Sequence, residues 1–187
     1  MAKQITPIMI EIIISDTLRN KANKRLDNFN FGNRNLNLFG SERDRTLIGY
    51  IGELMVMGFL GIEQGNDDYN YDIIYQKKRL EVKSISCKFK PHLDYLCTVN
   101  SYDLNGVHKQ NADYYVFTRI INDMTKGWIL GFINCDDFFT KGKFIKKGST
   151  VVPGVKFWKA NATVLPINQL INIDSLKSYL GSIQEGK

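Results

Sequence analysis

The sequence is poor in the residues that build histidine- or cysteine-based metal sites and covalent cross-links. It contains two histidines and three cysteines in 187 residues. His92 and His108 lie apart in the sequence, which argues against a histidine-based metal cage. Cys87, Cys97 and Cys135 are odd in number, and their spacing fits neither a zinc site nor a disulfide framework. We therefore expect the cysteines to be reduced residues in or near the core.

Long apolar runs are also missing. The nearest candidate, residues 8–14, is short and contains Glu11, whereas a membrane helix needs about 20 apolar residues. The first residues lack the charged start, apolar stretch and small-residue cleavage site of a secretory signal. The expectation is a protein without a membrane partner that works in the cytoplasm of a bacterial or phage-infected cell.

Positive charge is present in excess. The chain has 25 Lys and Arg against 19 Asp and Glu, a net charge of +6, which favours a polyanionic partner such as nucleic acid. Candidate phosphate contacts are Lys88, Lys90, Lys109, Arg119 and a basic loop with Lys141, Lys143, Lys146 and Lys147. His108, beside Lys109, is a candidate for proton transfer or substrate contact. Ordinary solvated surface charge remains the alternative for each of these residues.

The apolar pattern predicts one domain over residues 1–187, with a mixed sheet covered by helices, an α/β (α+β) fold. Residues 1–40 are expected to hold an N-terminal helix, over 6–28, and an Asn- and Gly-rich loop. The core is expected over 41–187 and opens with a helix at Ser41, with Asp44 in a capping-box position. Further elements are expected as strands at 71–75, 80–86, 94–100, 113–121, 128–134 and 162–166, a short helix or turn over 136–139, and a helix near 173–181 capped by Asp174.

Charged residues on the first predicted hairpin form the candidate site. If the loop is centred on residues 77–78, Asp72 lies opposite Lys83 and the same register pairs Ile74 with Glu81. Paired residues, and residues two apart on a strand, point to one face, so Asp72, Glu81 and Lys83 converge there. The opposite face carries apolar side chains suited to a core, namely Ile73, Tyr75, Leu80 and Val82.

This cluster suits the hydrolysis of phosphodiester bonds. Asp72 and Glu81 offer the hard oxygen ligands that Mg²⁺ prefers, and we expect Mn²⁺ to substitute. A cation held there would polarise the phosphate and activate a water. Lys83 would orient that water and offset the developing negative charge. Glu53, within the helix that begins at Ser41, would complete the metal shell directly or through water.

The Glu-x-Lys triplet alone is weak evidence, because it occurs again as Glu185-Gly186-Lys187 in a polar tail. Three charges that alternate with apolar residues also suit the solvated face of an ordinary hairpin. A basic α+β interaction domain with incidental carboxylates therefore stays open.

The order of these residues resembles the PD-(D/E)XK nuclease superfamily, which includes restriction endonucleases, phage junction resolvases and repair nucleases. A helical Glu53, an Asp72 that opens a strand and Glu81-Val82-Lys83 on the next strand carry the resemblance, mainly over residues 45–90. Tyr71 stands where the family name has Pro. The later predicted strands over 113–117 and 128–133 are similar to the sheet that follows the motif.

The resemblance implies a Mg²⁺-dependent DNA endonuclease with a restriction-endonuclease-like αβββαβ core, whose missing helix is expected within 101–112. It makes Asp72 and Glu81 metal ligands, Lys83 the catalytic lysine and Glu53 the accessory acid. The alternative is a catalytically inactive nuclease fold that binds DNA or a protein, although the intact motif argues against it. A homodimer is also open, because cutting both strands with one site per chain often uses two chains.

Overall fold

The computed structural model describes residues 9–28, 41–65, 71–100, 111–150, 160–176 and 178–179. The chain has a mixed α/β architecture. Its helices and strands, in chain order, are β1 (Ile10–Ile13), α1 (Asp16–Asp27), α2 (Ser41–Leu60), β2 (Ile73–Tyr75), β3 (Lys78–Cys87), β4 (Leu96–Asn100), β5 (Tyr114–Ile121), β6 (Lys126–Asn134), α3 (Cys135–Lys141), β7 (Lys143–Ile145) and β8 (Ala162–Pro166). Short 3₁₀ helices follow at Ile167–Gln169 and Ile173–Ser175.

Five strands form a mixed sheet in the order β1-β6-β5-β3-β2. Strands β3 and β5 run parallel, and the other neighbours in this sheet are antiparallel. The remaining strands form a second, antiparallel sheet in the order β4-β8-β7. The sequence pattern predicted most of these strands but not their division between two sheets, because alternation marks a strand without naming its partner.

The predicted N-terminal helix is wrong over its first part, since residues 10–13 form β1 and pair with β6. Glu11 accepts a hydrogen bond from Trp128 Nε1 at 2.9 Å, which ties the strand to the sheet. The Ser15 hydroxyl then accepts from the Leu18 N–H at 3.2 Å and caps α1. A run of β-branched isoleucines favours a pleated sheet, and tertiary pairing here overrides a helical spacing. The N-terminal region is thus joined to the core sheet rather than separate from it.

Helix α2 forms as predicted and packs on one face of the five-stranded sheet. Its buried side chains, Ile48, Ile51, Met55, Val56 and Leu60, recur at helical spacing and join a core with Leu80, Val116, Ile129 and Phe132. Gly52 lets the helix approach closely, because a Cβ there would lie 2.0 Å from Ser84 Oγ and 2.6 Å from Thr118 Oγ1. This approach brings the next residue, Glu53, up to the sheet.

The other face of the sheet is covered by the second sheet and α3. The buried residues of this second core are mainly aromatic and aliphatic, and include Tyr115, Phe117, Trp128, Leu130, Phe138 and Leu165. The three cysteines are free and buried, as predicted. Burial raises the pKa of the Cys97 and Cys135 thiols to about 12. They are therefore unreactive core residues.

The predicted closing helix begins as a 3₁₀ turn over Ile173–Ser175. Its cap is Asn172, whose side chain accepts from the Asp174 N–H at 3.1 Å, so the prediction of Asp174 as the cap is wrong by two residues. Predictions for the Asn-rich loop over 29–40 and for a helix within 101–110 fall outside the described residues. None of the helices in the described part of the chain is long and apolar enough to cross a membrane.

Candidate active site

The hairpin of β2 and β3 turns through two residues, Gln76 and Lys77, with positive φ values of 48° and 60°. Such left-handed pairs form type I′ turns, which Asn-Gly or Asp-Gly usually fills. Gln-Lys carries no such signal, so the sequence pattern placed the loop one residue too far along, at 77–78.

The predicted pairing within the hairpin is wrong by two residues as a result. Ile74 lies opposite Arg79 rather than Glu81. Because the error is an even number of residues, alternation keeps Asp72, Glu81 and Lys83 on the face predicted for them. Buried side chains on the opposite face are Ile73, Leu80 and Val82, with Tyr75 partly buried.

Asp72 lies just before β2 and is tied to β3. Its Oδ2 accepts a hydrogen bond from the Val82 N–H at 2.7 Å. Burial, and then the negative charges of Glu53 and Glu81, raise the pKa of this carboxyl to about 8, against a weaker opposing effect of Lys83. Three carboxylates and one lysine therefore act on one another at a single place, and they come from α2, the β2 end and β3.

Glu53 is 8% exposed on α2, and its carboxylate is held by a helix of the N-terminal region. Arg25 Nη1 of α1 donates to Glu53 Oε2 in a half-buried ion pair. The same guanidinium lies over the Tyr50 ring, 4.4 Å from its centroid. The planar guanidinium of Arg25 has its N–H donors in a rigid arrangement, and stacking on the Tyr50 ring fixes its orientation further. The ion pair with Glu53 therefore forms at little entropic cost.

Glu81 and Lys83 pair with each other along β3. Lys83 Nζ donates to Glu81 Oε1 at 2.8 Å, and the two side chains are 24% and 10% exposed. The ammonium also lies 5.9 Å from the centroid of the Tyr115 ring on β5. The Lys83 ammonium thus lies over an aromatic ring and remains partly exposed to solvent.

No group of three His, Cys, Asp or Glu side chains within the described ranges is arranged to hold a metal ion. Glu53 engages Arg25, Asp72 engages a backbone N–H and Glu81 engages Lys83. The donor set nevertheless fits Mg²⁺ by its chemistry, since carboxylate oxygens are the ligands this cation prefers. Burial is the largest cause of the raised pKa of Asp72, and the negative charges of Glu53 and Glu81, which a cation would neutralise, add to it. A carboxylate can bind a cation through one oxygen while the other accepts a hydrogen bond.

The residues proposed to contact phosphate or substrate differ in their surroundings. Lys88, Lys90, Lys143, Lys146 and Lys147 are exposed, and His108 and Lys109 lie outside the described residues. Lys141 pairs with Asp137 at 2.9 Å. Arg119 is half-buried and donates to the Leu96 carbonyl at 3.0 Å, with its guanidinium 5.3 Å from the Tyr95 ring centroid. These contacts are made within the protein, and the contact of Arg119 with phosphate stays a prediction.

Sequence reasoning missed Arg25 and Tyr50. Arg25 is 28 residues from Glu53 in the sequence, and no local pattern connects the two. The one available signal was the spacing of Tyr50 and Glu53, which are neighbours on a helical surface.

Comparison of the chain with protein-family models, with curated proteins and with solved structures finds no match in any of the three. The chemistry of the site is therefore what points to a function.

Proposed function

We propose that this protein is a divalent-metal-dependent DNA endonuclease of the PD-(D/E)XK type, with Glu53, Asp72, Glu81 and Lys83 as its active site. One observation carries the proposal. The Asp72 carboxylate accepts a hydrogen bond from the N–H of Val82, the residue between Glu81 and Lys83, and Lys83 is paired with Glu81. The charges of Glu53 and Glu81 add to burial in raising the pKa of Asp72. Structural carboxylates seldom cluster without a cation, because like charges in a buried place repel.

The order of elements supports the same proposal. Helix α2 is followed by the β2–β3 hairpin, and β5 then runs parallel to β3 with β6 beside it. This order follows the helix, hairpin and later strands that an αβββαβ core implies. An αβββαβ core has three strands between its helices, whereas only β2 and β3 of the five-stranded sheet lie between α2 and residue 101. Strand β4 pairs with β8 in the second sheet, and β1 is an addition at the far edge. Residues 101–110, where its remaining helix is expected, lie outside the described part of the chain.

Asp72 and Glu81 would hold the cation, with Glu53 as a third ligand or as a ligand through water. A bound Mg²⁺ supplies charge neutralisation on the phosphate and an activated water. Lys83 stays beside Glu81, where its ammonium orients the attacking water and offsets negative charge on the phosphate. The apolar Tyr115 ring beneath Lys83 keeps that charge from full hydration and strengthens its effect.

A catalytically inactive nuclease fold that binds DNA or a protein is the second candidate. The pairing of Glu53 with Arg25 and of Glu81 with Lys83 favours it, because two of the three carboxylates already have a positive partner.

Cleavage assays separate these candidates. Purified protein is incubated with supercoiled plasmid, linear duplex, single strands and a four-way junction, each with Mg²⁺, Mn²⁺ or EDTA. We expect metal-dependent cleavage that Glu81→Ala and Lys83→Ala reduce by at least about a hundredfold, the scale of losing one group that stabilises the transition state.

Glu63→Gln and Lys77→Ala serve as matched controls, since both residues are exposed and lie outside the cluster. They should cleave like the wild type. Cleavage by the site variants at the wild-type rate would contradict the proposed site. Salt-sensitive DNA binding without cleavage by the wild type would select the inactive binding module.

A further inference from the structure

The segment that follows β3 presents an aromatic ring to solvent between two lysines. Phe89 is 73% exposed, and Lys88 and Lys90 on either side of it are exposed as well. Most phenylalanines in the described part of the chain are buried or partly buried, so this exposure is unusual for the residue type. A ring flanked by two positive charges is a surface for a partner that is both flat and anionic.

Backbone contacts on both sides hold Phe89 in place. Before it, the Cys87 carbonyl accepts from the Asn122 N–H at 2.9 Å. After it, Pro91 is buried and the Tyr95 N–H donates to the His92 carbonyl at 3.1 Å. The segment is therefore anchored at each end, and the exposed ring projects from a fixed support.

Two further rings extend this surface. His92 and Tyr95 are exposed, and their ring centroids lie 5.3 Å apart. The Tyr95 ring is also backed by the Arg119 guanidinium at 5.3 Å, and its carbonyl accepts from the Ile167 N–H at 3.0 Å. We call residues 88–95 the aromatic–basic surface. Asp94 is its one exposed acid within these described residues.

The surface continues directly from the candidate active site. Strand β3 carries Glu81 and Lys83 and ends at Cys87. Cys87 is the fourth residue after Lys83 along the strand, a span of about 13 Å at the rise of a β-strand. A strand of a few nucleotides bound at the aromatic–basic surface therefore reaches toward the active-site cluster.

We propose that the aromatic–basic surface binds unpaired nucleotides, with Phe89 stacking on a base and Lys88 and Lys90 contacting the neighbouring phosphates. Exposed aromatic rings offer the faces on which bases of any sequence stack, and lysines hold the backbone beside them. Paired bases inside a duplex have no free face for Phe89. The proposal deepens the proposed nuclease function and rests on it, because it names DNA with single-stranded or splayed segments as the substrate class.

Binding is measured in EDTA, so that no cleavage occurs. Fluorescence anisotropy gives the affinity of labelled oligothymidylate and of a blunt duplex for wild type, Phe89→Ala and Ile13→Ala. Ile13 is 71% exposed on the far edge strand and is the matched control for exposure. We expect Phe89→Ala to weaken single-strand binding about tenfold and to leave duplex binding unchanged, while Ile13→Ala changes neither.

A spectroscopic variant and a charge variant report contact directly. Phe89→Trp should give a tryptophan signal, measured as the difference from wild type, that saturating oligothymidylate quenches. The double change Lys88→Gln and Lys90→Gln should reduce the slope of log affinity against log salt by about 1.4, or about 0.7 for each phosphate.

Equal single-strand binding by Phe89→Ala and wild type, or an unquenched Phe89→Trp signal at saturation, would overturn the proposal. So would binding to anionic lipid vesicles in place of oligonucleotides. Failure of the nuclease proposal looks different, since wild type would then bind single strands through Phe89 and cleave nothing in Mg²⁺ or Mn²⁺. Failure of this inference alone would leave metal-dependent cleavage intact and insensitive to Phe89→Ala on every substrate.

Discussion

At Glu53, a carboxylate stands on an otherwise apolar stretch of helix, and Arg25 balances its charge. This ion pair is largely shielded, with side-chain exposures of 26% and 11%. Removal of Arg25 takes away a positive partner of Glu53, which acts on the nearby Asp72 carboxyl. We expect Arg25→Ala to lower the free energy of unfolding by about 1–3 kcal/mol, as for hydrogen bonds to charged groups, measured by urea unfolding.

Arg43→Ala is the control, because its ion pair with Asp27 at 2.8 Å is exposed, at 54% and 63%. A pair of this kind contributes less than about 1 kcal/mol. Equal losses from the two substitutions would mean that Glu53 does not depend on Arg25.

The burial of Asp72 beside other carboxylates destabilises the fold at neutral pH. Its pKa of about 8 in the folded chain, against an ordinary value of 3.8, means that folding is opposed at neutral pH, where the unfolded carboxyl is ionised. Asp72→Asn removes this charge and keeps an oxygen for the Val82 N–H. We expect the variant to be more stable by at least about 1 kcal/mol, or about 2–4 °C in Tm.

The same variant should lose metal-dependent cleavage, since function is often retained at a cost in stability. Thermal unfolding and a cleavage assay on one preparation test both effects. A lower Tm than that of the wild type would show that Asp72 is a structural anchor and not a strained ligand.

Asp113 is the opposite case. Arg79 lowers its pKa through side-chain hydrogen bonds, from Nη2 to Oδ1 at 3.0 Å and from Nε to Oδ2 at 3.2 Å. A depressed pKa stabilises the fold above the ordinary value of an aspartate, and this contribution is lost as pH falls through the folded pKa. We expect Asp113→Asn to be less stable than wild type at neutral pH.

The difference in free energy of unfolding between wild type and Asp113→Asn should be largest above the ordinary aspartate pKa of 3.8. It should narrow as pH falls below that value and the wild-type carboxyl becomes protonated. Urea midpoints over a pH series across this value measure the difference. If the difference in free energy of unfolding did not change with pH, the ion pair of Asp113 with Arg79 would not contribute to stability.

Among the elements, α2 shows how local pattern and close packing act together. Gly49 and Gly52 are one turn apart on this helix, but only Gly52 meets the sheet, since a Cβ at Gly49 would have no atom within 4 Å. Alanine has the higher helix propensity at both positions. We expect Gly49→Ala to stabilise by about 0.5–1 kcal/mol and Gly52→Ala to destabilise by about 1–3 kcal/mol through overpacking.

Denaturant unfolding of the two variants gives the comparison, with each serving as the other's control. Stabilisation by both substitutions would mean that α2 can shift away from Ser84 without cost, and that the close approach does not fix the position of Glu53.

Elements with strong local signals were predictable, and those set by pairing were not. The spacing of Ile48, Ile51 and Met55 predicts α2, and alternation predicts β3 together with the face that carries Glu81 and Lys83. The isoleucine run over residues 10–13 has β propensity, but its pairing with the edge of β6 is not recorded in any local pattern. The hairpin register depends on the Gln76-Lys77 turn, whose residues are not typical of a type I′ turn. The sequence therefore predicts which face each side chain points to, but not which residues pair across the hairpin.

For the whole molecule, the arrangement of the site depends on contacts between distant parts of the chain. The pairing of Arg25 with Glu53 joins α1 to α2, and the coupling of Asp72 to Glu53 joins the hairpin to α2. The sequence motif identifies the four candidate residues, but it does not show that the carboxylates have other donors within reach. The division into two sheets arises at the same scale, because β4 follows β3 in the chain and pairs with β8.

The central claim is that these carboxylates jointly hold a divalent cation, and calorimetric titration with Mn²⁺ tests it most directly. Wild type, Asp72→Asn and Glu81→Gln are titrated at the same pH, with Glu63→Gln as a control acid outside the cluster. We predict saturable binding by the wild type and by Glu63→Gln, and at least about a tenfold loss of affinity in both site variants, since each removes one anionic ligand. Wild-type binding that Asp72→Asn and Glu81→Gln leave unchanged, or no binding by any of the proteins, would contradict the account.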